Sequence, residues 1–342
     1  ILPAFMNLNM RAWDFFMGQM LGKYEVKGAP RLEEILGATK ADFFPNQWEF
    51  YEHVSCSPKF PILFATSTAL HGPFPQDFSE KCIPIGPLMF DLSEQKGPDF
   101  GSQSLKIMEA FLAAGPAPVY MGYGSLTCHN VKFMTLLSLR ALRLTGQRGV
   151  LAAGWAGMSL QDVEGESDAD ELRAYCAENV LFMETVPHAS LFPKCKVIVH
   201  HGGAGTLYAS VQSGVPTVIV PITYDQFAHS ELVNLRGIGV GLTSMKDLTP
   251  PELAAAIRKC LDSHEIRTTA CEIGEQLRQE HGPARLVEEV NRYMVENVST
   301  GLHLKLCDEL HEHHMQQAAA TWSSMISNLW SCCTERPKVG GS

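Results

Sequence analysis

Between about residue 104 and residue 262 the chain alternates two apolar rhythms. Short, mostly apolar runs at 118–122, 149–153, 180–183, 197–200 and 217–222 read as strands buried on both faces. Between them, apolar residues recur every three or four positions over 104–114, 131–144, 206–213, 226–235 and 251–262, the spacing of helices with one apolar side. This alternation predicts an α/β fold, a parallel sheet covered by helices on both faces. Residues 164–170 are dense in acids and read as a loop.

The flanks follow other patterns. Residues 1–20 are apolar with helix-like spacing, 31–36 form a short predicted helix, and 60–66 read as a buried strand that runs into a Pro-rich loop. Residues 91–103 have the Asp, Ser, Gly and Pro content of a linker and place a domain boundary there. In the tail, Leu302, Leu304, Leu306 and Leu310 precede His311, His313 and His314. Trp322, Met325, Ile326, Leu329 and Trp330 then fall at helical spacing and predict a helix of about three turns packed on the body. Its polar side lacks the Lys and Arg of a membrane-surface helix.

Composition narrows the function classes. Twenty-seven Lys and Arg against 37 Asp and Glu leave a net charge of −10 over 342 residues, which argues against a general nucleic-acid partner. The 10 cysteines contain no CxxC pair, so zinc and thioredoxin-type sites have no support, and scattered thiols point to a reducing, cytoplasmic setting. No apolar run approaches the roughly 18 residues of a spanning helix. The histidines of the tail read as solvated, with no metal expected. A chain that begins at Ile1 is expected to be processed or a fragment.

The chemistry concentrates in His200-His201-Gly202-Gly203-Ala204-Gly205-Thr206, which follows one predicted strand and opens a helix. Free N–H groups and the dipole at a helix N-terminus bind anions, and glycines let a phosphate approach the backbone. His201 and Thr206 add side-chain donors; a tight turn packed by glycines is the alternative. Tyr123-Gly124-Ser125 repeats the geometry after strand 118–122. Asp225 and Gln226 leave the strand 217–222 at another helix start, where a carboxylate beside an amide suits vicinal sugar hydroxyls or a simple N-cap. Three polar loops at the carboxyl ends of parallel strands would converge on one crevice.

Residues 117–298 resemble the nucleotide-sugar-binding half of the UDP-glycosyltransferases, in particular the sterol glucosyltransferases and the bacterial macrolide and glycopeptide glycosyltransferases. The resemblance rests on residues 119–125, Val186-Pro187-His188, residues 200–206, Gly214-Val215-Pro216 and Asp225-Gln226, in that order and spacing. It implies the GT-B architecture, two Rossmann-like domains facing across a cleft. The expected organisation is a partial acceptor-binding domain at 1–91, a linker and lead-in helix at 92–116, a UDP-sugar-binding domain at 117–300 and a tail at 301–342.

The same resemblance implies roles. Ser125 would bind a donor phosphate. His201 and Thr206, with the amides around Gly203, Ala204 and Gly205, would cradle the diphosphate. Val186 and His188 would line the uracil pocket, and Asp225 and Gln226 would hold hydroxyls of the transferred sugar. The implied reaction moves a hexose, glucose first, from a UDP-sugar to a hydroxyl of a lipophilic acceptor such as a sterol, with inversion. The UDP-sugar is a co-substrate, no other cofactor is implied, and peripheral membrane contact is kept as a partner. The sequence departs from the family in three ways. Phe227-Ala228-His229 replaces the Pro-Phe-Trp run of sterol enzymes, Ala189-Ser190 follows the Pro-His pair, and Ala209 stands where plant members carry a glutamate. Nothing before Phe60 resembles the Gly-rich start of an acceptor domain, so the general base is expected in a missing N-terminal region and no catalytic residue is named. A non-catalytic UDP-sugar-binding module is the alternative. A dinucleotide oxidoreductase is weaker, because Tyr208 stands at the third glycine of that motif.

Overall fold

The computed structural model describes residues 60–89 except 75 and 77, then 105–124, 130–154 and 157–309, with 312, 313, 315 and 316. Ser125, the helices expected in 1–36, the linker at 91–103 and the tail helix around Trp322 lie outside the described residues.

Two compact units are present. The larger comprises Ala65–Gly72 and Ile85–Pro283. Its centre is six parallel strands: β3 (Val119–Gly122), β4 (Gly149–Ala152), β5 (Val180–Met183), β6 (Val197–His200), β7 (Thr217–Ile219) and β8 (Gly239–Gly241), in the order β5-β4-β3-β6-β7-β8. In the smaller unit β1 (Ile62–Phe64) pairs in parallel with β2 (Cys82–Pro84), and Phe64, Phe74 and Phe78 form an aromatic cluster with centroids 5.0–6.2 Å apart. The strand expected at 60–66 shortens to three half-buried residues, because a two-stranded sheet has too little area to bury it.

The strands are covered on both faces, as their apolar runs require. Val119, Met121 and Tyr123 of β3 and its exit, with Val197 and Val199 of β6, join one core with α3 (Val131–Thr145) and α8 (Pro250–Asp262). The alternate residues Tyr120 and Ile198 face the other side and pack with Met108 of α2 (Leu105–Ala113). Leu207, Val211, Ile219, Ile273 and Leu277 extend that side, bringing in α6 (Ala204–Ser213) and α9 (His264–Arg278). The period-2 alternation of a strand thus feeds two cores from one sequence run.

Four elements escape the periodicity. Helix α4 (Ala169–Asn179) buries only Ala169, Leu172 and Cys176 among acids, so the apolar pattern does not mark it, and its first two residues fall in the stretch 164–170 read as a loop. Strand β8 is two-thirds glycine, and the sequence reads through it. Helix α9 uses Ala270 and Gly274 where large residues would mark a stripe, and α10 (Gly282–Tyr293) buries only Gly282. The strand expected at 217–222 stops at Ile219: Pro221 has no N–H, and the N–H of Ile222 is taken by the Gln226 side chain.

The acidic stretch 164–170 is an anchor for α3. Arg140 holds Asp168 with two hydrogen bonds, 2.7 and 3.0 Å, and Glu166 with a third of 2.8 Å. Lys132 closes on Glu166 at 3.0 Å. Arg140 holds the Asp168 carboxyl below the usual carboxylate range. Arg140→Leu should therefore lower unfolding free energy by about 1–3 kcal/mol, the range for charged hydrogen bonds left unmade. Urea titration at neutral pH measures it, and a loss below about 0.5 kcal/mol would mark the cluster as a solvated surface feature.

Candidate functional site

Chain order reverses once in the large sheet. From β3 the chain runs outward through β4 and β5, then returns to β6 on the other side of β3 and runs out through β7 and β8. Crossovers on either side of β3 and β6 diverge there and leave a crevice at their carboxyl ends. The loops after β3, β6 and β7 flank this point.

After β3, Tyr123 is buried in the core with its hydroxyl 3.0 Å from Ser138 Oγ, and burial pushes it up to about 12. That anchor lets the chain turn at Gly124, whose φ is +73°. A Cβ at Gly124 would come 2.6 Å from Cε1 of His201, and one at Gly203 would overlap His201 Nε2. The imidazole of His201 thus fills the space between the two loops, and it is 8% exposed. Burial lowers its pKa, and the charge of Asp225 opposes the shift only in part, so His201 is neutral at physiological pH. Its Nδ1 is buried with no partner among the described residues.

The turn then enters α6. Gly202 has φ of +92° and is the residue that needs glycine for conformation. Gly203 is the N-cap and supplies no side-chain bond; the N–H groups of Ala204, Gly205 and Thr206 have no internal partner among the described residues. Ala204 and Gly205 are exposed and Thr206 half-buried, so this N-terminus is open. A Cβ at Gly205 would meet nothing within 4 Å. Gly203 is therefore glycine because of His201, whereas nothing among the described residues requires glycine at Gly205.

After β7, Asp225 is the N-cap of α7 (Gln226–Arg236) yet makes no side-chain cap bond, and its side chain is 60% exposed. One of its oxygens, Oδ2, lies 3.8 Å from His229 Nδ1, and the exposed remainder of the carboxylate faces solvent. Gln226 is buried, and its Oε1 accepts from the N–H groups of Ile222 and Thr223 at 2.9 and 3.0 Å. Its carbonyl shapes the loop; only its amide nitrogen is left for a hydroxyl. Just before Asp225 the exposed Tyr224 has φ of +50°, the one non-glycine left-handed residue among those described. Such backbone strain gathers at functional loops.

After β5, Val186 packs on the Met108–Tyr120–Phe192 cluster. His188 opens α5 (His188–Leu191), stacks on Phe192 at 4.5 Å and lies 3.4 Å from the Tyr120 hydroxyl through Nε2. Burial pushes His188 down to about 4. His200, fully buried at the end of β6, is also held well below its ordinary value. The Gly202 N–H donates to His200 Nδ1 at 3.0 Å, and Nε2 has no partner among the described residues. Sequence reasoning gave no role to His200, which opens the motif it quotes, to Tyr224, or to His229, whose Nδ1 lies 2.7 Å from the Gly202 carbonyl. The signal available for His229 was its place one helical turn after Asp225.

No group of His, Cys, Asp or Glu among the described residues could hold a metal ion, and no helix among them is long and apolar enough to cross a membrane.

Residues 160–293 match the family described as erythromycin biosynthesis protein CIII-like, C-terminal domain. Two sterol 3-beta-glucosyltransferases of Arabidopsis thaliana are similar to the chain. One is 33% identical over 184 residues, 54% of this chain and 28% of that relative; the other is 32% identical over 216 residues, 63% and 31% respectively. The chain thus spans less than a third of the length of these relatives. The solved glycotransferase of kitacinnamycin superposes with a TM-score of 0.51 at 25% identity, over 68% of this chain and 54% of that one. Sheet order and likeness agree on an α/β, Rossmann-like domain of the GT-B type.

Two predictions follow from the packing. Gly203→Ala should displace His201 and lower the melting temperature, whereas Gly205→Ala should leave the melting temperature within about 1 °C of wild type and disturb only ligands that reach the turn. Calorimetric melts of both variants check this, and equal melting temperatures would contradict the different reasons given for the two glycines. The lowered pKa values of His188, His200 and His201 favour the neutral forms in the folded state. Stability from this source is complete above about pH 6.5 and is lost as pH falls through the lowered values, near 4 for His188. Melting temperature should fall between pH 6.5 and 4, and His188→Gln should fall less steeply; parallel pH profiles would remove His188 from the account.

Proposed function

We propose that this chain, a GT-B-type relative of the UDP-glycosyltransferases, holds a UDP-sugar across the crevice at β3 and β6. Residues 201–206 receive the diphosphate, Val186 and His188 border the uracil, and Asp225 and Gln226 meet the sugar. Ser125 adds a phosphate donor to the same group. The observation that carries the reading is the open N-terminus of α6, where three N–H groups have no internal partner among the described residues and lie beside a neutral His201. In an acidic chain that concentration of donors suits one localised anion rather than a polyanion.

The chemistry follows from the charge that develops. Breaking the bond between the anomeric carbon and the diphosphate leaves negative charge on UDP, and preorganised N–H groups at a helix N-terminus stabilise it. In this reading they do the work that a divalent cation does elsewhere, and no cofactor beyond the co-substrate takes part. The transferred sugar is a hexose, glucose by analogy with the named relatives, delivered with inversion to a hydroxyl of a lipophilic acceptor; the sterol class rests on those relatives' names. An acceptor hydroxyl needs a base for its proton, and no described residue is assigned that role. A cytoplasmic setting with contact at a membrane surface, where lipophilic acceptors reside, accompanies the reading.

Titration calorimetry with EDTA present tests it. His201→Ala should weaken UDP binding by about 1–3 kcal/mol, from loss of a donor to a charged acceptor. Asp225→Ala should leave UDP affinity unchanged and weaken UDP-glucose. Equal losses for both ligands would remove Asp225 from the sugar, and wild-type binding that depends on added magnesium would contradict the role given to the helix.

A further inference from the structure

The Gly202 carbonyl is gripped from outside the turn. His229 lies in the first turn of α7, its side chain 16% exposed, and its Nδ1–H donates to Gly202 O at 2.7 Å. The same nitrogen lies 3.8 Å from Asp225 Oδ2, one helical turn earlier. Gly202 is buried, its α-carbon enclosed by Ile219 and by Gln226 of the same helix.

A peptide unit is planar and trans, so its C=O and N–H point in opposite directions. The carbonyl held by His229 belongs to the same peptide as the N–H of Gly203. Fixing one fixes the other, and the Gly203 N–H is directed away from His229. That N–H has no internal partner among the described residues. At φ of +92° Gly202 has a wide conformational range, so without a grip on its carbonyl this peptide could rotate.

We propose that His229 is a positioning residue of the donor site: through the Gly202 carbonyl it aims the Gly203 N–H at the diphosphate and keeps the Asp225 carboxylate beside the same turn. The proposal rests on the reading of residues 201–206 as a diphosphate cradle. It assigns a task to a residue that stands outside the implied donor-binding set, at a position where the sequence departs from the sterol enzymes.

Two amides test it, because they differ in where the donor sits. In His229→Asn the side-chain NH2 falls close to the place of Nδ1; in His229→Gln it lies one bond further out. Titration calorimetry of UDP into the 342-residue chain, after circular dichroism has shown each variant folded, gives the readout. His229→Asn should bind UDP within about threefold of wild type, and His229→Gln should bind about tenfold more weakly. UDP-glucose should follow the same order. Equal UDP affinities for the two variants would overturn the proposal, and so would wild-type affinity in a folded His229→Phe, which keeps the ring and removes the donor. Absence of UDP binding by the wild-type chain would overturn the cradle itself, a different failure from equal binding by the variants.

Discussion

One imidazole ring sets the geometry around which the rest of the larger unit is arranged. His201 occupies the gap between the loops after β3 and β6, so neither Gly124 nor Gly203 can carry a side chain. These strands are neighbours in the sheet, Gly122 in register with His200, although β4 and β5 are laid down between them in the chain. The ring can fill that gap only if Tyr123 pins the first loop in the core and Gly202 turns the second. Helix α6 inherits its starting direction from this packing, and its open N-terminus inherits its place at the crevice.

Electrostatics at the crevice are built by subtraction. Burial keeps His188, His200 and His201 neutral, so the positive potential comes from backbone N–H groups rather than from formal charge. Fixed backbone dipoles need little reorganisation when negative charge develops beside them, which is how oxyanion-hole-type donors act. Acidic charge is placed where it does not compete: Glu166, Asp168 and Glu171 are paired with Lys132, Arg140 and Arg143 along α3. Asp225 stands at the crevice with its side chain 60% exposed, 3.8 Å from His229 Nδ1.

The segment after β7 braces the turn after β6. Gln226 caps the N–H groups of Ile222 and Thr223, the side chain of the same residue closes over Gly202, and His229 takes the Gly202 carbonyl. Two loops that the sequence presents as separate polar patches are thus one mechanical unit. The left-handed, exposed Tyr224 immediately precedes Asp225, the N-cap of α7.

The amino-acid pattern by itself determined the α/β rhythm, the strand–turn–helix around residues 197–213 and the residues that bear donors there. Those features are local: strand alternation, helix spacing and glycine at a positive φ are written within a few residues of where they act. Helix α4 and strand β8 were illegible because acids and glycines replace the apolar residues that carry the rhythm. What only the tertiary structure decided is why each glycine is glycine, that Gln226 serves the backbone, and that His229 reaches Gly202. Each depends on residues brought together by parallel crossovers, in which a strand's neighbour is set by the path of the whole chain and leaves no periodic trace in either segment.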